Sequence, residues 1–568
     1  MDTSPAKIIS FFNGEKQNVV PVFQRKYSWS RENWKTLWDD ILEIYEERKD
    51  KQVATDDSSL FMGAVVTMPV RTVPVGVNKH LIIDGQQRLT TFALFLIAIR
   101  QLSDSRRQEQ INDYLVNRHY DAPDKLKIIP TQDDREPFTR LVEQLSLADL
   151  SKNRMVEAVD FFVSSLQGKD STDASIDIDL MFDVARTCLE VVSINLSDKD
   201  DPYLIFESLN YKGEPLSAAD LVRNYILMRF KNEAGAGGEQ EKIHRDIWLP
   251  LEQSLYDETT QKSYLTDYLS HYLSAQGQNA KRGKIYTYFK RYMDPFQGSE
   301  AAKDTLIKLA LWGSCYELFI KPEKEQNASV RKHLESLIEL KTSTPYPLLL
   351  KLFSLRSENR LELADIIYCL ESIESFLVRR FILDIPTNSL ARIFDKWAVE
   401  LDEDNPVEWL TRSLLDGSGN RRWPGDNEVK LAIHSNQLYG KNICRFLLEA
   451  IEKSYGHKEV VNLQDSSVSI EHIMPQTLTE EWKEHVGEDW EDVHGSLLHT
   501  LGNLTLTAYN PELSNSPFEV KKNLLSESKI DLNKWISQQD SWGEEQIEQR
   551  ASDLGEIVAS IWRIPAIT

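Results

Sequence analysis

The amino-acid sequence predicts an α+β protein that is mainly helical and contains three domains. At roughly 100–200 residues per domain, its 568 residues correspond to three or more domains. Strand patterns occur in the first and last parts of the chain, whereas residues 242–413 repeat apolar positions with the helical period. We therefore expect an α/β domain at residues 1–235, a helical domain at residues 236–430, and a smaller domain with two strands and a helix at residues 431–568.

The composition excludes membrane and secreted proteins. Hydrophobic residues make up 41% of the chain and charged residues 27%, which is typical of a globular protein. No apolar run reaches the roughly 18–20 residues of a membrane span. Residues 1–16 lack the features of a signal peptide. We therefore expect a cytoplasmic protein without a membrane partner.

The charge and the cysteines restrict the possible ligands. The net charge of −23, from 66 basic and 89 acidic residues, argues against a surface that is basic throughout. It still permits DNA binding, because basic groups confined to one cleft can bind DNA while acidic groups repel it elsewhere. The four cysteines form no CxxC pair, which argues against disulfides and a cysteine zinc site.

A segment of polar and aromatic residues precedes the first predicted long helix. It contains Gln24, Arg25, Tyr27 and Trp29, and Ser30 follows as the expected N-cap of the helix. Guanidinium and amide donors next to aromatic rings are suited to bind a phosphate or a nucleic-acid base. The segment is therefore a candidate ligand-binding loop.

The motif Asp84-Gly85-Gln86-Gln87-Arg88 is predicted to lie at a strand-to-helix junction. Buried strands are predicted at residues 60–68 and 80–83, and a helix at residues 89–102. Gly85 lets the backbone turn sharply, and the helix N-terminus beyond it offers free amides and a positive dipole end. The junction is therefore a candidate phosphate site.

Two side chains of this motif add chemistry of their own. Arg88 is a bidentate phosphate donor, and Asp84 can bind a metal ion or a ribose hydroxyl. A tight turn capped by an aspartate explains the same residues at least as well. The motif alone leaves both interpretations open.

The middle of the chain carries weaker signals. Residues 206–210 precede a turn and a helix that Ser217 is expected to cap, and capping chemistry explains that pattern by itself. Residues 232–239 are rich in Gly, Ala and Glu and are expected to link two domains. Arg379 and Arg380 are interpreted as a surface pair on a helix, with a solvated or DNA-facing basic edge as the alternative.

The last domain has the order of elements of a ββα-metal nuclease. A strand is predicted at residues 467–471 and ends at His472. A second strand is predicted at residues 501–507 and contains Asn503, and a helix at residues 517–527 follows.

The polar residues of this domain supply the parts for phosphodiester hydrolysis, which requires an activated water and a cation. His472 is expected to be the general base and Glu471 a metal ligand. Asn503 is expected to brace the loop that carries His472. Asn510 is expected to be the second metal ligand because of its spacing from Asn503, and Asn515 is the alternative.

The same domain indicates which ion and which basic groups take part. Oxygen ligands favour Mg²⁺ or Mn²⁺ over zinc. Lys521 and Lys522 are expected to contact DNA phosphates. The neighbouring His485, His494 and His499 are interpreted as surface residues or loop caps.

Together these motifs resemble those of GmrSD-type modification-dependent (type IV) restriction endonucleases, including the related phosphorothioate-sensing enzymes. The order of the motifs agrees, and the resemblance spans nearly the whole chain. The residues that carry it are 24–29, 83–91, 206–210 and 213–217 in the N-terminal part, and 471–476, 502–504 and 515–522 in the C-terminal part.

The resemblance implies a ParB/sulfiredoxin-like fold for the N-terminal domain and an HNH fold for the C-terminal domain. It implies that the N-terminal domain binds and hydrolyses a nucleoside triphosphate (NTP). GTP is the first choice and ATP or CTP the others, although the chain shows no motif that reads a base. It assigns the nucleotide site to Asp84, Gly85, Gln86, Gln87 and Arg88, with Gln24 and Arg25 close by.

The resemblance further implies Mg²⁺-dependent cleavage of modified, foreign double-stranded DNA, such as phage DNA with glucosylated hydroxymethylcytosine. Glu471 departs from the aspartate of many HNH enzymes, so the metal is expected to shift or to depend on Asn510 alone. The alternative is a nucleotide-switched DNA-binding clamp or sensor with a weak or silent nuclease. The oligomeric state stays open, a homo-oligomer included.

Overall fold

The chain divides into two compact units, Met1–Pro250 with Met293–Ile307 and Leu251–Tyr292 with Lys308–Thr568. The three domains predicted from the sequence, with limits at 235 and 430, stay a prediction. The computed structural model describes residues 2–21, 24–50, 59–70, 76–168, 176–197, 217–230, 238–278, 282–296, 298–456, 462–463, 465 and 467–564.

The described strands of the first unit form one mixed sheet. They are β1 (Asp2–Lys7), β2 (Lys16–Val19), β3 (Leu60–Pro69), β4 (Asn78–Asp84), β5 (Ile128–Ile129) and β6 (Leu189–Asn195). Their order across the sheet is β1-β6-β3-β4-β2-β5. β3 is antiparallel to β4 and parallel to β6, and β4 is parallel to β2. The strands predicted at residues 60–68 and 80–83 are confirmed, and β4 is an inner strand.

One apolar helix lies at the core of the first unit. The helices described there are α1 (Arg31–Asp50), α2 (Gln86–Leu102), α3 (Ser105–Leu115), α4 (Gln132–Glu143), α5 (Arg154–Leu166), α6 (Ile178–Thr187), α7 (Ala218–Leu227) and α8 (Glu239–Ile243). A π-helical turn (His244–Trp248) and α9 (Leu249–Ser254) follow. α2 is apolar on every side and packs against α5, and its residues from Leu89 to Ile99 are all buried. Because α2 begins at Gln86, the last three residues of the Asp84–Arg88 motif form its first turn.

The middle of the chain is helical, as predicted. Its helices are α10 (Leu265–Ala275), α11 (Ile285–Met293), α12 (Gly298–Ile320), α13 (Ala328–Glu339), α14 (Tyr346–Ser357), α15 (Leu363–Ile382), α16 (Leu390–Glu400), α17 (Pro406–Leu415), α18 (Asp426–Ser435) and α19 (Asn442–Ser454). Two short strands, β7 (Tyr256–Asp257) and β8 (Lys262–Ser263), pair antiparallel before α10.

Arg379 and Arg380 of α15 are completely buried, so their interpretation as a surface pair is wrong. The Arg379 guanidinium donates to the carbonyl oxygens of Trp562 at 2.7 Å and Pro424 at 2.9 Å. It also pairs with Asp426 at 2.7 Å. These acceptors satisfy a buried guanidinium, and they come from segments whose proximity no local sequence pattern reveals.

A small antiparallel sheet forms the C-terminal part of the second unit. Its strands are β9 (Ser469–His472) and β10 (Leu504–Thr507). The helices around it are α20 (Glu480–Val486), α21 (Trp490–Leu497), α22 (Asn510–Leu513), α23 (Phe518–Ser526), α24 (Leu532–Ser537) and α25 (Glu544–Ile561). β10 begins later than predicted, because residues 501–503 form a 3-10 turn. The order β9, β10, α23 agrees with the order of elements predicted from the sequence.

Some predicted features lie outside the described residues. They include the block at residues 206–210 and most of the linker at residues 232–239. Ser217 does cap α7, as predicted, because its hydroxyl accepts from the backbone N of Asp220 at 3.1 Å. Within the part of the chain that is described, no helix has the length and apolar character to cross a membrane.

Candidate functional site

The β9–β10 pair places two candidate catalytic residues on opposite sides of the small sheet. Glu471 and His472 are consecutive residues of β9, so their side chains point in opposite directions. Across the sheet Glu471 pairs with Thr505 and His472 with Leu504, and both side chains are buried. The pair therefore has a histidine face, which carries His472, and a carboxylate face, which carries Glu471.

The histidine face brings His472 against a second histidine. Nε2 of His472 lies 3.0 Å from Nδ1 of His499, within hydrogen-bond distance. The ring of Tyr439 stacks on His499 with 5.3 Å between centroids and meets the His472 ring edge-on at 4.3 Å. His499 is half-buried, and its contact with His472 is a feature that its interpretation as a surface residue or loop cap did not include.

Burial keeps the imidazole of His472 neutral. Removal from water, in the first place, and then His499, Lys521 and His494 lower the pKa of His472 to about 4. An imidazole with this pKa is unprotonated at neutral pH and has a lone pair that can accept a proton. The charge state thus suits a general base.

The carboxylate face holds a buried ion pair. Nζ of Lys521, on α23, lies 2.7 Å from Oε1 of Glu471 and donates to the carbonyl oxygen of His472 at 2.8 Å. Burial raises the pKa of Glu471 and lowers the pKa of Lys521, and each charge partly offsets the shift of the other. Lys521 is completely buried and turned toward Glu471, so the structure does not bring it to a DNA phosphate. Lys522 is partly exposed and lies 3.5 Å from Asp540.

The side chain of Asn503 is fully hydrogen-bonded to the protein. Its Oδ1 accepts from the backbone N of Met474 at 2.8 Å and from Nε1 of Trp542 at 3.0 Å. Its Nδ2 donates to the carbonyl oxygens of Met474 at 3.0 Å and Leu498 at 2.9 Å. Met474 is the second residue after His472, so Asn503 fixes the start of the loop that follows the histidine.

The structure brings one of the two candidate asparagine ligands to the small sheet. Nδ2 of Asn510 donates to Oγ of Ser469 at 2.8 Å and to the carbonyl oxygen of Ile470 at 3.3 Å. Ser469 and Glu471 share the carboxylate face, since alternate residues of a strand point the same way. Asn515 is exposed, and its side chain makes no hydrogen bond with any described residue. The geometry therefore favours Asn510 over Asn515.

Two oxygen donors at this place fit a Mg²⁺ or Mn²⁺ ion. Mg²⁺ commonly takes one or two protein oxygens and keeps several waters. Glu471 offers a carboxylate, and Asn510 offers an amide oxygen while its nitrogen is used in hydrogen bonds. Because Lys521 holds Oε1 of Glu471, an ion has to compete with the ammonium group. No group of three or more His, Cys, Asp or Glu residues placed to hold a metal ion occurs in the described ranges.

Helix α25 holds the turn that contains Asn503, a contact that the sequence pattern does not reveal. Nη1 of Arg550 donates to the carbonyl oxygens of Gly502 at 2.8 Å and Leu504 at 2.7 Å. Burial lowers the pKa of Arg550 to about 10, so it stays charged at neutral pH. A Cβ added at Gly502 would collide with the carbonyl oxygen of Ile547. The only local signal is an arginine at an apolar position of an amphipathic helix.

The second candidate site lies at the junction of β4 and α2. Gly85 has a φ of +90°, and a Cβ there would lie 2.9 Å from Cγ2 of Val65. The junction therefore requires glycine. Nη1 of Arg88 donates to the carbonyl oxygen of Ala64 and lies 3.9 Å from Oδ2 of Asp84. The guanidinium is thus held between β3 and the aspartate.

Amide side chains join the segment at residues 24–29 to this junction. The hydrogen bonds run from Gln24 Nε2 to Ile83 O (2.9 Å), from Gln86 Nε2 to Arg25 O (3.2 Å), from Gln87 Nε2 to Lys26 O (3.2 Å) and from Ser28 N to Gln87 Oε1 (3.0 Å). The structure therefore brings together the two segments that the sequence assigns to one nucleotide site.

Two family models match the chain, one on each candidate site. The model described as GmrSD restriction endonuclease, N-terminal domain, matches residues 8–227, which contain the β4–α2 junction. The model described as GmrSD restriction endonucleases, C-terminal domain, matches residues 423–557, which contain both faces of the β9–β10 pair. A search of curated proteins found no match. Together the two models cover more than half of the chain, and both describe enzymes that cut DNA in restriction defence. The chain therefore belongs to the GmrSD restriction endonuclease family.

Proposed function

We propose that this restriction endonuclease cuts DNA at an HNH-type site with His472 as the general base, under the control of an NTP bound at the β4–α2 junction. The observation that carries the proposal is the buried imidazole of His472 at the end of β9, in contact with His499 and followed by a loop that Asn503 holds. Oxygen donors of Glu471 and Asn510 on the carboxylate face of the same strand pair support it. The strand–strand–helix order of β9, β10 and α23 supports the ββα-metal arrangement.

In the proposed reaction, the protein supplies the base and holds it in place. His472 accepts the proton of the attacking water, for which a neutral imidazole is required. Asn503 fixes the loop after His472, and Lys521 fixes its carbonyl oxygen. Mg²⁺ or Mn²⁺, when held by Glu471 and Asn510, supplies positive charge that stabilises the scissile phosphate and the leaving oxygen.

The β4–α2 junction is proposed to bind and hydrolyse the NTP. The N-terminus of the 17-residue helix α2 offers backbone amides and a positive dipole end to a phosphate. Arg88 adds a guanidinium, and Gln24 and Arg25 lie against the motif through the hydrogen bonds described above. The mixed sheet around β4 is compatible with a ParB/sulfiredoxin-like fold. GTP is the first nucleotide to test, ahead of ATP and CTP.

The proposed substrate is double-stranded DNA that carries a modification foreign to the host. Of the two lysines on α23 that the sequence assigns to DNA, Lys522 is the one with partial exposure, so it is the proposed phosphate contact. Lys521 can reach a phosphate only after Glu471 releases it.

One observation favours a second candidate function. The ammonium group of Lys521 occupies a carboxylate oxygen that a metal ion would use, which is an arrangement expected of a weak nuclease. The second candidate is therefore a nucleotide-switched DNA-binding clamp or sensor whose nuclease is weak or silent.

The test is cleavage of a panel of plasmids, plain or modified with glucosylated hydroxymethylcytosine or phosphorothioate, with Mg²⁺ and each of the four NTPs. We expect His472→Ala to cut at least roughly 10²-fold more slowly than the wild type while it binds DNA equally in gel-shift assays. His434→Ala, which changes a half-exposed histidine of α18, is the control. Undiminished cleavage by His472→Ala would overturn the site, and DNA binding without any cleavage by the wild type would support the second candidate.

A further inference from the structure

His472 and His499 share one hydrogen bond between two imidazole rings. It joins Nε2 of His472 to Nδ1 of His499 over 3.0 Å. A neutral imidazole has one N–H and one lone pair, so one ring donates and the other accepts. His494 does not compete for this bond, because its Nε2 lies 3.1 Å from the carbonyl oxygen of Pro475.

The direction of this hydrogen bond decides whether His472 can act as a base. If His499 donates, the bond uses the Nε2 lone pair of His472, and its Nδ1 carries the proton. If His472 donates, its Nδ1 keeps a lone pair. Within the described parts of the chain, Nδ1 of His472 makes no hydrogen bond, so a lone pair there is not used by the protein.

We propose that His499 is a positioning residue whose Nδ1 accepts the Nε2 proton of His472, which fixes the tautomer with a free lone pair on Nδ1 of His472. This proposal rests on the proposed function of His472 as the general base. The water proton then moves to Nδ1 of His472 while the water oxygen forms a bond to the phosphorus, the bond from phosphorus to the leaving sugar oxygen breaks, and the released oxygen takes a proton from solvent. Catalytic bases are commonly oriented by a third group in this way.

The surroundings of His499 hold it in a fixed orientation. Its carbonyl oxygen accepts from the backbone N of Leu438 at 2.8 Å and of Tyr439 at 3.3 Å. The ring of Tyr439 lies nearly parallel to the His499 ring, with 10° between the planes, and edge-on to the His472 ring. One aromatic ring therefore contacts both imidazoles and limits the rotation of each.

Single-turnover cleavage of a modified plasmid tests the consequence for catalysis. We expect His499→Ala to lower the rate at saturating DNA by roughly 10–100-fold, with the Kd for DNA unchanged. His499→Asn should recover most of the rate, because its amide oxygen can accept the proton from Nε2. His434→Ala is again the control. Equal rates for the wild type and His499→Ala would overturn the proposal. So would an equal loss in both His499 variants together with a lower midpoint of thermal unfolding, since that pattern indicates a structural role.

Nitrogen-15 NMR of the histidine-labelled full chain without DNA reports the tautomer directly. The signal of His472 is assigned by its absence in His472→Ala. We expect a protonated Nε2 and an unprotonated Nδ1 in the wild type, and loss of this preference in His499→Ala. The opposite tautomer in the wild type would overturn the proposal. If the wild type cuts none of the DNAs, the proposed function fails, whereas the NMR measurement still decides the direction of the hydrogen bond.

Discussion

A single ammonium group, Nζ of Lys521, connects the parts of the candidate nuclease site. It pairs with the carboxylate of Glu471 and binds the carbonyl oxygen of His472 from its place on α23. Removal of one partner from a buried ion pair costs roughly 3–5 kcal/mol, because the other charge stays buried without a partner. A divalent cation at Glu471 would offset that cost. If the proposed metal ion binds at Glu471, Lys521 therefore stabilises the metal-free site and competes with the ion for the same oxygen.

Replacement of Lys521 by methionine is expected to raise the affinity of the protein for Mn²⁺, because the ion no longer competes with the ammonium group. Without Mn²⁺ the midpoint of thermal unfolding should fall, and Mn²⁺ should restore it. Electron paramagnetic resonance measures the affinity, and scanning fluorimetry the midpoint. Lys522→Met is the matched control, since its partly exposed pair with Asp540 contributes at most about 1 kcal/mol. A lower midpoint in Lys521→Met without a gain in Mn²⁺ affinity would contradict the competition.

His244 links the stability of the first unit to pH. Burial in the first place, and then Arg223, lower the pKa of His244 to about 4, while Asp133 and Glu241 act in the opposite direction. In the unfolded chain a histidine titrates near pH 6.5. Between these two values the folded state binds fewer protons than the unfolded state. The stability contribution is therefore complete above pH 6.5 and is lost as the pH falls toward 4.

His244→Gln is expected to make the protein less sensitive to acid. On going from pH 7 to pH 5, the wild type should lose about 2 kcal/mol of unfolding free energy that the variant does not lose. Urea unfolding at the two pH values measures the difference. His119→Gln, at an exposed position, should behave like the wild type. The same loss in His244→Gln as in the wild type would show that His244 is not the group responsible.

At the scale of single residues, the sequence pattern predicts which residue types lie at the candidate site but not which contacts they make. The order of predicted strands and the motifs that contain Glu471, His472 and Asn503 predict a base, a metal ligand and a brace, but they place Asn503 on a strand, whereas it lies in the 3-10 turn before β10. The contacts of Lys521 with Glu471 and of His499 with His472 join residues 50 and 27 positions apart. Such contacts depend on how α23 and the segment before residue 501 pack on the strands, which no local periodicity specifies.

At the scale of elements, helix α25 and the 501–503 turn form one structural piece. Arg550 binds the carbonyl oxygens of Gly502 in the turn and of Leu504 directly after it, and Gly502 lets the helix backbone approach closely at Ile547. Asn503 within this turn holds Met474, so the position of α25 determines the position of the loop after His472.

Gly502→Ala is expected to lower the stability of the nuclease region by about 3 kcal/mol, because the new methyl group meets backbone rather than a movable side chain. Gly495→Ala is the matched control, because residue 495 lies inside α21 and a Cβ there would meet nothing within 4 Å. There alanine should stabilise the helix by roughly 0.5–1 kcal/mol. Thermal unfolding of both variants measures the shifts. A midpoint of thermal unfolding for Gly502→Ala equal to that of the wild type would mean that α25 can move away from the new methyl group with little loss of stability.

The limits of elements were predicted less well than their types. Apolar and polar side chains alternate over residues 501–507 as they do in a strand. The first three residues nevertheless form a turn, because α25 packs directly on Gly502. The apolar pattern of α2 begins at Leu89, whereas the helix begins at Gln86 behind the left-handed Gly85. In both cases a glycine marks the true limit, for a reason that lies in its packing or its φ angle.

At the scale of the whole molecule, each of the two units contains one candidate site. The β4–α2 junction belongs to the first unit and the β9–β10 pair to the second. The order of the motifs along the chain predicts that the two candidate sites lie in different units. The grouping of the middle helices with the β9–β10 pair could not be predicted, because it depends on contacts such as that of Arg379 with Trp562.

Variants of the two sites are expected to separate the two activities. Arg88→Ala should abolish NTP binding, measured by calorimetry, because it removes the charged donor next to the first turn of α2. Plasmid cleavage by this variant should no longer respond to NTP. His472→Ala should hydrolyse NTP at the wild-type rate while it cuts no DNA. NTP hydrolysis that disappears in His472→Ala would mean that the two sites do not work as separate centres.

The contacts of α25 with the 501–503 turn also affect when this region can fold during synthesis on the ribosome. A ribosome adds roughly 5–20 residues per second, so it completes α25 on the order of seconds after it has completed β10. During that interval the nascent polypeptide has the histidine, the carboxylate and both strands, but not the arginine that secures the turn. We therefore expect the β9–β10 pair to reach its final form only after α25 has been made, because the arginine that secures the 501–503 turn comes last.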